Sequence, residues 1–321
     1  NPFFNSEKLR KTRHPRFGNR LYKNENGHFV DVSDEAHIDG SGLNFGLSAS
    51  ISDLNNDGWP DIYVTNDYDE RDFLYLNNHD GTFKEVLNTA ARHISEFSMG
   101  SDIADYNNDG KTDVMVLDML PEDNYRQKTL KGPDNYDKYT LRQSLGYQSQ
   151  QMRNTLQLNN GNDKNGIPIF SEVGQMAGVS NTDWSWSPLF ADFDNDGWKD
   201  LFVSNGVLRD MTDLDFVKYG LMYYSKSTSE TKDKKKMWEQ ISQMRTPVLN
   251  NYIFRNNHNL RFTNSTKDWG IVKNSVSNGA AYADLDNDGD LDVVINNLND
   301  EATIYRNNTS NNKNAHYIRI R

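Results

Sequence analysis

Residues 53–61 read Asp-Leu-Asn-Asn-Asp-Gly-Trp-Pro-Asp, and this nonapeptide decides the fold because three more copies follow it. Asp-Tyr-Asn-Asn-Asp-Gly-Lys-Thr-Asp stands at 105–113, Asp-Phe-Asp-Asn-Asp-Gly-Trp-Lys-Asp at 192–200 and Asp-Leu-Asp-Asn-Asp-Gly-Asp-Leu-Asp at 284–292. All four match Asp-x-(Asp/Asn)-x-Asp-Gly-x-x-Asp. Self-similarity of this kind indicates a repeat architecture, in which each repeat is one supersecondary unit.

Short strands are predicted around every copy. Runs rich in Val and Ile, bounded by turn residues, are typical of strands, and such runs follow the nonapeptides at 62–65, 114–117, 201–204 and 293–296. A second phrase comes next: a strand that ends in Asn-Asn, a polar turn and another short strand. The Asn-Asn strands are 73–78, 155–160, 252–257 and 303–308. One full unit is therefore predicted to contain four antiparallel strands.

Four short strands per repeat are the pattern of a β-propeller blade. The prediction is thus a single all-β domain over 1–321, with about four and a half four-stranded blades. Its parts are a half blade at 20–36 and blades at about 45–90, 97–175, 184–265 and 279–321. Two partly helical insertions, 119–152 and 206–250, interrupt the regular spacing of the repeats. Long insertions on a rigid scaffold often carry binding surfaces.

The repeated loop is predicted to bind Ca²⁺. Oxygen-bearing side chains at positions 1, 3, 5 and 9 surround one point, and Gly at position 6 permits the sharp turn. Position 7 would contribute its backbone carbonyl and position 9 a bidentate carboxylate. The predicted ligands are Asp53, Asn55, Asp57, Trp59 and Asp61; Asp105, Asn107, Asp109, Lys111 and Asp113; Asp192, Asp194, Asp196, Trp198 and Asp200; and Asp284, Asp286, Asp288, Asp290 and Asp292.

Other readings of the loop fit less well. An EF-hand needs Glu at position 12, where this chain has Val64, Val116, Val203 and Ile295. Magnesium prefers fewer protein ligands and more water. Asn, Asp and Gly also form ordinary turns, but four copies with one ligand pattern favour four metal sites.

Composition narrows the function classes. The 321 residues carry a formal charge of −11, which argues against nucleic acid as a partner and is attributed to ion-binding acidity. The absence of cysteine excludes a disulfide framework and a thiolate zinc site. No apolar run approaches the roughly 20 residues that span a bilayer.

Binding is predicted rather than catalysis, because no HExxH, GxSxG or P-loop phrase occurs. The alternative is a carbohydrate-active enzyme, a polysaccharide lyase or hydrolase, whose carboxylates would come from the insertions. Candidates for that role are Glu122, Asp123 and Asp215.

Five aromatic residues could contact a ligand or fill the core. Trp184 and Trp186, in the strand before a loop, are predicted to be core residues. For Tyr223, Tyr224 and Trp238 in the second insertion, packing and ligand contact are equal alternatives.

The loops resemble FG-GAP and VCBS repeats, the calcium-binding blades of integrin α-subunit propellers. The stretch 146–159 and the closing His-Tyr-Ile-Arg-Ile at 316–320 look like exported bacterial VCBS-repeat proteins that carry an ASPIC/UnbV segment. The phrases that name the repeat are only loosely matched, at Phe45-Gly46 and 278–281. Both chain ends are expected to be artificial, because no Met begins the sequence and 316–321 reads as an interrupted strand.

The resemblance implies that the chain is part of a protein with a seven-bladed propeller and that its blade loops bind calcium. It also implies a secreted, periplasmic or cell-surface location and no enzymatic activity. The predicted function is therefore a calcium-stabilised, extracytoplasmic binding or adhesion module that recognises a protein or glycan.

Overall fold

The computed structural model describes residues 12–68, 70–133, 135–224 and 230–311, without the side chains of 221–224, 230–233 and 311. The predicted strand at 316–320 and the side chains of Tyr223 and Tyr224 lie outside this description. Within it the chain is mostly β and forms several small antiparallel sheets, as the repeats predicted.

The sheets follow one another along the chain. A hairpin is formed by β1 (Tyr22–Glu25) and β2 (His28–Asp31). The next sheet has the order β3 (Gly46–Ser52), β4 (Asp61–Asn66), β5 (Phe73–Asn77) and β6 (Phe83–Glu85). Then β7 (His93–Ser95) precedes a sheet of β8 (Ser101–Ala104), β9 (Asp113–Val116), β11 (Thr155–Asn162) and β12 (Pro168–Glu172).

A further sheet contains β13 (Ser185–Ala191), β14 (Asp200–Asn205), β15 (Tyr252–Asn256) and β16 (Phe262–Asn264). The last sheet has three strands in the described part of the chain, β17 (Ser277–Ala283), β18 (Asp292–Asn297) and β19 (Thr303–Tyr305). Each nonapeptide thus joins the first and second strands of one sheet. The sequence did not predict β10 (Ser149–Gln151), which pairs in parallel with β7.

Both insertions contain helices, as predicted. The first has α2 (Asn124–Leu130) and α3 (Tyr136–Ser144), and the second has α5 (Leu214–Tyr224) and α6 (Glu230–Gln243). Two short helices that the sequence did not predict, α1 (Leu87–Ala90) and α4 (Gly174–Ala177), follow the outer strands β6 and β12, and a 3₁₀ turn covers Thr309–Asn311. None of the helices in the described ranges is long and apolar enough to cross a bilayer.

Apolar clusters fill the spaces between consecutive sheets. Successive side chains of a strand point to opposite faces, and β9 shows the consequence. Val114 and Val116 lie in the cluster shared with the preceding sheet, whereas Met115 and the following Leu117 lie in the cluster shared with the next one. A sheet that is covered on both faces explains why its second strand is a continuous apolar run.

The second residue of each of the first three nonapeptides belongs to this packing. Leu54, Tyr106 and Phe193 are all buried, and each lies in a cluster between two sheets. In the last loop the equivalent Leu285 is half exposed. The first three loops are therefore anchored in the apolar core through their second side chains.

The first strands of consecutive sheets lie side by side. The Ser50 hydroxyl donates to the Ser101 carbonyl at 3.0 Å, which joins β3 to β8. The Phe190 N–H donates to Asp102 Oδ2 at 2.7 Å, which joins β13 to β8. Strand β13 in turn contacts β17. The first strands of the four sheets are thus neighbours in the order β3, β8, β13 and β17.

Asp72 is a buried carboxylate between two of these sheets. Its Oδ1 accepts the Asn66 N–H at 2.9 Å, and its Oδ2 accepts the hydroxyls of Tyr63 and Ser98, each at 2.9 Å. Burial outweighs these donors and raises the pKa of Asp72 to about 7.

This raised pKa predicts a pH dependence of stability. Because the unfolded chain titrates near 3.9, the contribution of Asp72 is fully present below about pH 4 and is lost as the pH rises through about 7. We expect the unfolding free energy of wild type, relative to Asp72→Asn, to fall between pH 5 and pH 8 in denaturant titrations. Asp215→Asn, at an exposed carboxylate, is the control. A difference that grows with pH would contradict the assignment.

Candidate metal sites

The four nonapeptides share one hydrogen-bonded conformation. In the first, Asp53 accepts the N–H groups of Asp57 at 3.0 Å and Gly58 at 2.8 Å. The same two bonds recur in the other three copies at 2.8–3.2 Å. The carboxylate at position 5 also accepts the N–H of position 7 in every copy, at 2.9–3.3 Å. Each loop is therefore shaped by its own acidic side chains.

The backbone explains two of the fixed residue types. Position 4 is left-handed in all four copies, with φ between 54° and 64°, and asparagine tolerates this region better than most residues. Position 6 has φ between 83° and 96°, where a Cβ would be strained and glycine is required. The conformation of the turn therefore favours asparagine at position 4 and requires glycine at position 6.

The carboxylate at position 9 fastens the loop to the sheet. In the third copy, Asp200 accepts the N–H of Phe193 at 3.1 Å through Oδ2 and the N–H of Asn256 at 2.8 Å through Oδ1. Equivalent pairs of bonds hold Asp61, Asp113 and Asp292. Each oxygen keeps a second lone pair, so bidentate ligation by position 9 stays a prediction.

Burial also perturbs the titration of these groups. It raises the pKa of Asp113 to about 7 and that of Asp200 to about 8, with neighbouring loop carboxylates adding to the effect. Crowded carboxylates without a counter-charge hold protons more tightly. A cation that binds at these two loops would therefore displace protons from Asp113 and Asp200 near pH 7.

Two of the loops bring carboxylates close enough to hold a metal ion. One ligand oxygen from each of Asp192, Asp194 and Asp200 lies within 4.8 Å of the others, and the same is true of Asp284, Asp286 and Asp288. Oδ1 of Asp194 is buried and has no hydrogen-bond partner in the described structure. Clustered hard oxygens, one of them unsatisfied, fit a divalent cation.

In the first two loops the residue at position 3 is amidic, Asn55 and Asn107, so fewer carboxylates converge. Their backbone geometry is nevertheless that of the other two. The position 7 residues Trp59, Lys111, Trp198 and Asp290 lie in the loops with their N–H groups bonded to position 5. Ligation through their carbonyls stays a prediction.

A basic side chain contacts an acidic ligand position in every loop. His79 Nε2 lies 3.0 Å from Asp57, and Lys111 Nζ lies 2.9 Å from Asp109. In the third and fourth loops the contacts are His258 with Asp196 at 2.9 Å, Arg255 with Asp194 at 2.8 Å and Arg306 with Asp286 at 2.7 Å. The sequence alone did not predict these contacts.

A sequence signal for two of them exists. Where position 7 is tryptophan, the Asn-Asn pair of the same unit is followed by histidine. The ring centroids of Trp59 and His79 are 4.9 Å apart, and those of Trp198 and His258 are 4.6 Å apart, both pairs stacked. Tryptophan at position 7 together with histidine after the Asn-Asn pair therefore indicates a stacked contact between the two rings.

Consecutive loops are joined by side-chain hydrogen bonds. The position 4 asparagine of one loop donates to the position 6 glycine carbonyl of the next. These bonds are Asn56 to Gly110 at 3.1 Å, Asn108 to Gly197 at 3.0 Å and Asn195 to Gly289 at 3.3 Å. The four nonapeptides thus form one continuous belt.

Most of the other residues that the sequence suggested as ligand contacts or catalytic groups pack in the core or bond to neighbouring elements. Trp184 and Trp186 pack against the cluster between the second and third sheets, as predicted. Trp238 is 70% exposed. Glu122 accepts the hydroxyl of Tyr252 at 3.0 Å. Of the other carboxylates, Asp123 caps α2 by accepting the Arg126 N–H, and Asp215 lies in the first turn of α5.

Comparison with known proteins agrees with the repeats. The model of a family described as FG-GAP-like repeat matches residues 53–116 and 145–203, so the chain carries FG-GAP-like repeats in these two regions. No curated protein matches the sequence.

A solved structure of an Agrocybe aegerita lectin, described as showing specific recognition of non-reducing terminal N-acetylglucosamine, is similar at 14% identity with a TM-score of 0.39. The match covers 92% of this chain and 62% of the lectin, so the chain spans less than two thirds of that structure.

Proposed function

We propose that the chain is a calcium-stabilised β-propeller, or part of one, that serves outside the cytoplasm as a non-catalytic binding or adhesion module for a protein or glycan. The observation that carries the proposal is the belt of four loops with one conformation, each between the first and second strands of a sheet. Cores between consecutive sheets and adjacent first strands support the propeller. A seven-bladed parent of the VCBS type with an ASPIC/UnbV segment belongs to the same proposal.

Calcium suits the loops better than a transition metal does. Their side-chain ligands are oxygens alone, and Ca²⁺ accepts six to eight of them in flexible geometry. A bound ion would neutralise the carboxylates that crowd each turn. The residues that would hold it are those at positions 1, 3, 5, 7 and 9 of each loop.

The affinity that we expect of the loops for Ca²⁺ supports an extracytoplasmic setting. In each loop a His, Lys or Arg already contacts an acidic ligand position, and Ca²⁺ has to compete with that contact. Calcium sites of extracellular modules bind in the range of about 10⁻⁴–10⁻³ M. Sites of this kind fill only where calcium is plentiful.

The absence of catalysis is also part of the proposal. The loop carboxylates are committed to the turn, while Glu122 and Asp123 of the first insertion bond to Tyr252 and to the start of α2. Incubation with extracted polysaccharides, with and without a chelator, would reveal turnover if an enzyme were present.

Calcium binding itself is the direct test. Metal analysis after equilibrium dialysis is expected to give four Ca²⁺ per chain, with much weaker retention of Mg²⁺. Asp196→Ala removes a ligand from the third loop and should leave three ions. Retention of fewer than two ions by wild type, or equal retention of Mg²⁺, would sink the proposal.

A further inference from the structure

The last sheet has one face that is apolar and exposed. Val293 and Ile295 of β18 pack toward the third sheet, so Val294 between them points to the opposite, outward face. Ile304 of β19 lies beside Val294 on this face, because the strand register pairs the two residues directly. Ile304 is 63% exposed, and Leu285, the second residue of the last nonapeptide, is 50% exposed. The outward face is therefore left open to solvent.

The other three sheets show what covers this face elsewhere. The residues equivalent to Ile304, three places before the Asn-Asn pair, are Leu74, Leu156 and Ile253, and each is at most 3% exposed. Each lies in a core cluster with the second residue of its own nonapeptide and with side chains of the following sheet. The last sheet thus has the same apolar face as the sheets that are followed by another one.

The belt of hydrogen bonds also stops at this sheet. In each of the first three loops, the position 4 asparagine donates to the position 6 carbonyl of the next loop, at 3.0–3.3 Å. Asn287 has the same left-handed backbone, with φ of 64°, but its amide donates to no other residue in the described ranges. A further nonapeptide beside the last loop would offer the acceptor that Asn287 lacks.

The first sheet, at the other end of the row, is already covered in part. Ala36 and Ile38, which follow the hairpin of β1 and β2, pack against Phe73 and Tyr75 of β5. The last sheet of a second copy therefore cannot dock on the first sheet as the sheets of one chain dock on each other, because the half blade lies there. This arrangement disfavours a head-to-tail pairing of two copies.

We propose that the outward face of the last sheet is the docking surface for a further blade of the same repeat, which the parent protein supplies from outside these 321 residues. That blade packs apolar side chains of its second strand against Leu285 and Ile304, as β9 packs Val114 and Val116 against the first sheet. Its nonapeptide accepts the Asn287 amide. The inference rests on the proposed function, since it identifies the residues through which the propeller continues.

Thiol labelling tests whether this face is covered in the parent. The chain contains no cysteine, so Ile304→Cys introduces a single thiol into it. The rate of alkylation by a maleimide, read from the peptide that carries position 304, is measured in the 321-residue chain and in the whole parent protein, both saturated with calcium. We expect a rate at least tenfold lower in the parent. Tyr125→Cys, at a residue of α2 that is 74% exposed, should react equally in both. Equal rates at position 304 overturn the proposal.

Sedimentation velocity of the same samples separates a further blade from a second copy. A monomeric parent with slow alkylation at position 304 supports the blade. A parent that dimerises, and in which position 304 becomes reactive when the dimer is diluted to monomer, overturns the proposal, because a second copy then covers the face.

Two asparagines of the belt give a matched pair of variants. Asn108 and Asn287 both have a left-handed backbone, so alanine causes similar strain at either position. In the 321-residue chain, Asn108→Ala should lower the melting temperature by about 2 °C more than Asn287→Ala does, because only Asn108 loses a bond to the next loop. In the parent the two variants should lower it equally. A parent in which Asn108→Ala remains the more damaging variant overturns the proposal.

Calcium content is measured on every sample. A parent that holds its calcium and leaves position 304 fully reactive refutes this inference alone. A protein that holds no calcium refutes the proposed function, whatever the reactivity of position 304.

Discussion

Asp200→Ala is expected to lower the free energy of unfolding by about 3–5 kcal/mol, and to do so even in a calcium chelator. The Asp200 carboxylate is fully buried and accepts the N–H groups of Phe193 and Asn256. Its removal leaves two backbone donors unsatisfied inside the protein and separates the loop from the third strand of its sheet. This loss does not depend on whether a metal ion is present.

Asp196→Ala in the same loop is the matched control. Asp196 is at the exposed side of the turn, where it accepts the Trp198 N–H at 3.0 Å and contacts His258. In chelator this variant should lie within about 1 kcal/mol of wild type, because only surface interactions are lost. With calcium, both variants should lose the ion of the third loop.

Denaturant unfolding followed by tryptophan fluorescence, with and without chelator, separates the two roles. The difference between Asp200→Ala and Asp196→Ala should persist without calcium. If the two variants unfold together in chelator, the buried carboxylate acts through the metal alone.

The local chemistry of the loops could be read from the sequence because each ligand position and each turn residue lies within nine residues. The apolar run of β9 likewise predicted a strand. The helices α1 and α4 could not be found in this way, since the residues before them, Val86 and Val173, provide no side-chain cap. A four-residue helix without a cap has almost no local signal.

Contacts between distant segments set the other limit. The parallel pair of β7 and β10 forms only because the first insertion returns to the sheet. Trp184 was expected in the core and does pack there, yet it also lines a cavity together with α3, a position that depends on where α3 lies. Periodicity determines which face of a strand is apolar, and it carries no information about which loops meet at its end.

Asn256→Ala is expected to cost about 3 kcal/mol of unfolding free energy, because one side chain bonds two repeats together. Its amide donates to the carbonyls of Tyr106 at 2.8 Å and Lys199 at 2.9 Å, and its Oδ1 accepts the His258 N–H at 2.9 Å. The side chain is 2% exposed, so water cannot replace these partners. Asn159, which donates to the Leu54 carbonyl at 2.9 Å, has the same role one repeat earlier.

The next residue provides the control. Asn257 is exposed and its amide bonds only to the Thr263 hydroxyl at 2.9 Å, so Asn257→Ala should cost less than about 1 kcal/mol. Because Tyr106 belongs to the second nonapeptide, Asn256→Ala should also weaken calcium binding at that loop, which it does not touch through any ligand. Calcium titration of the two variants by calorimetry measures this. Unchanged affinity at every site would mean that neighbouring loops hold their ions independently, in spite of the bonds that join them.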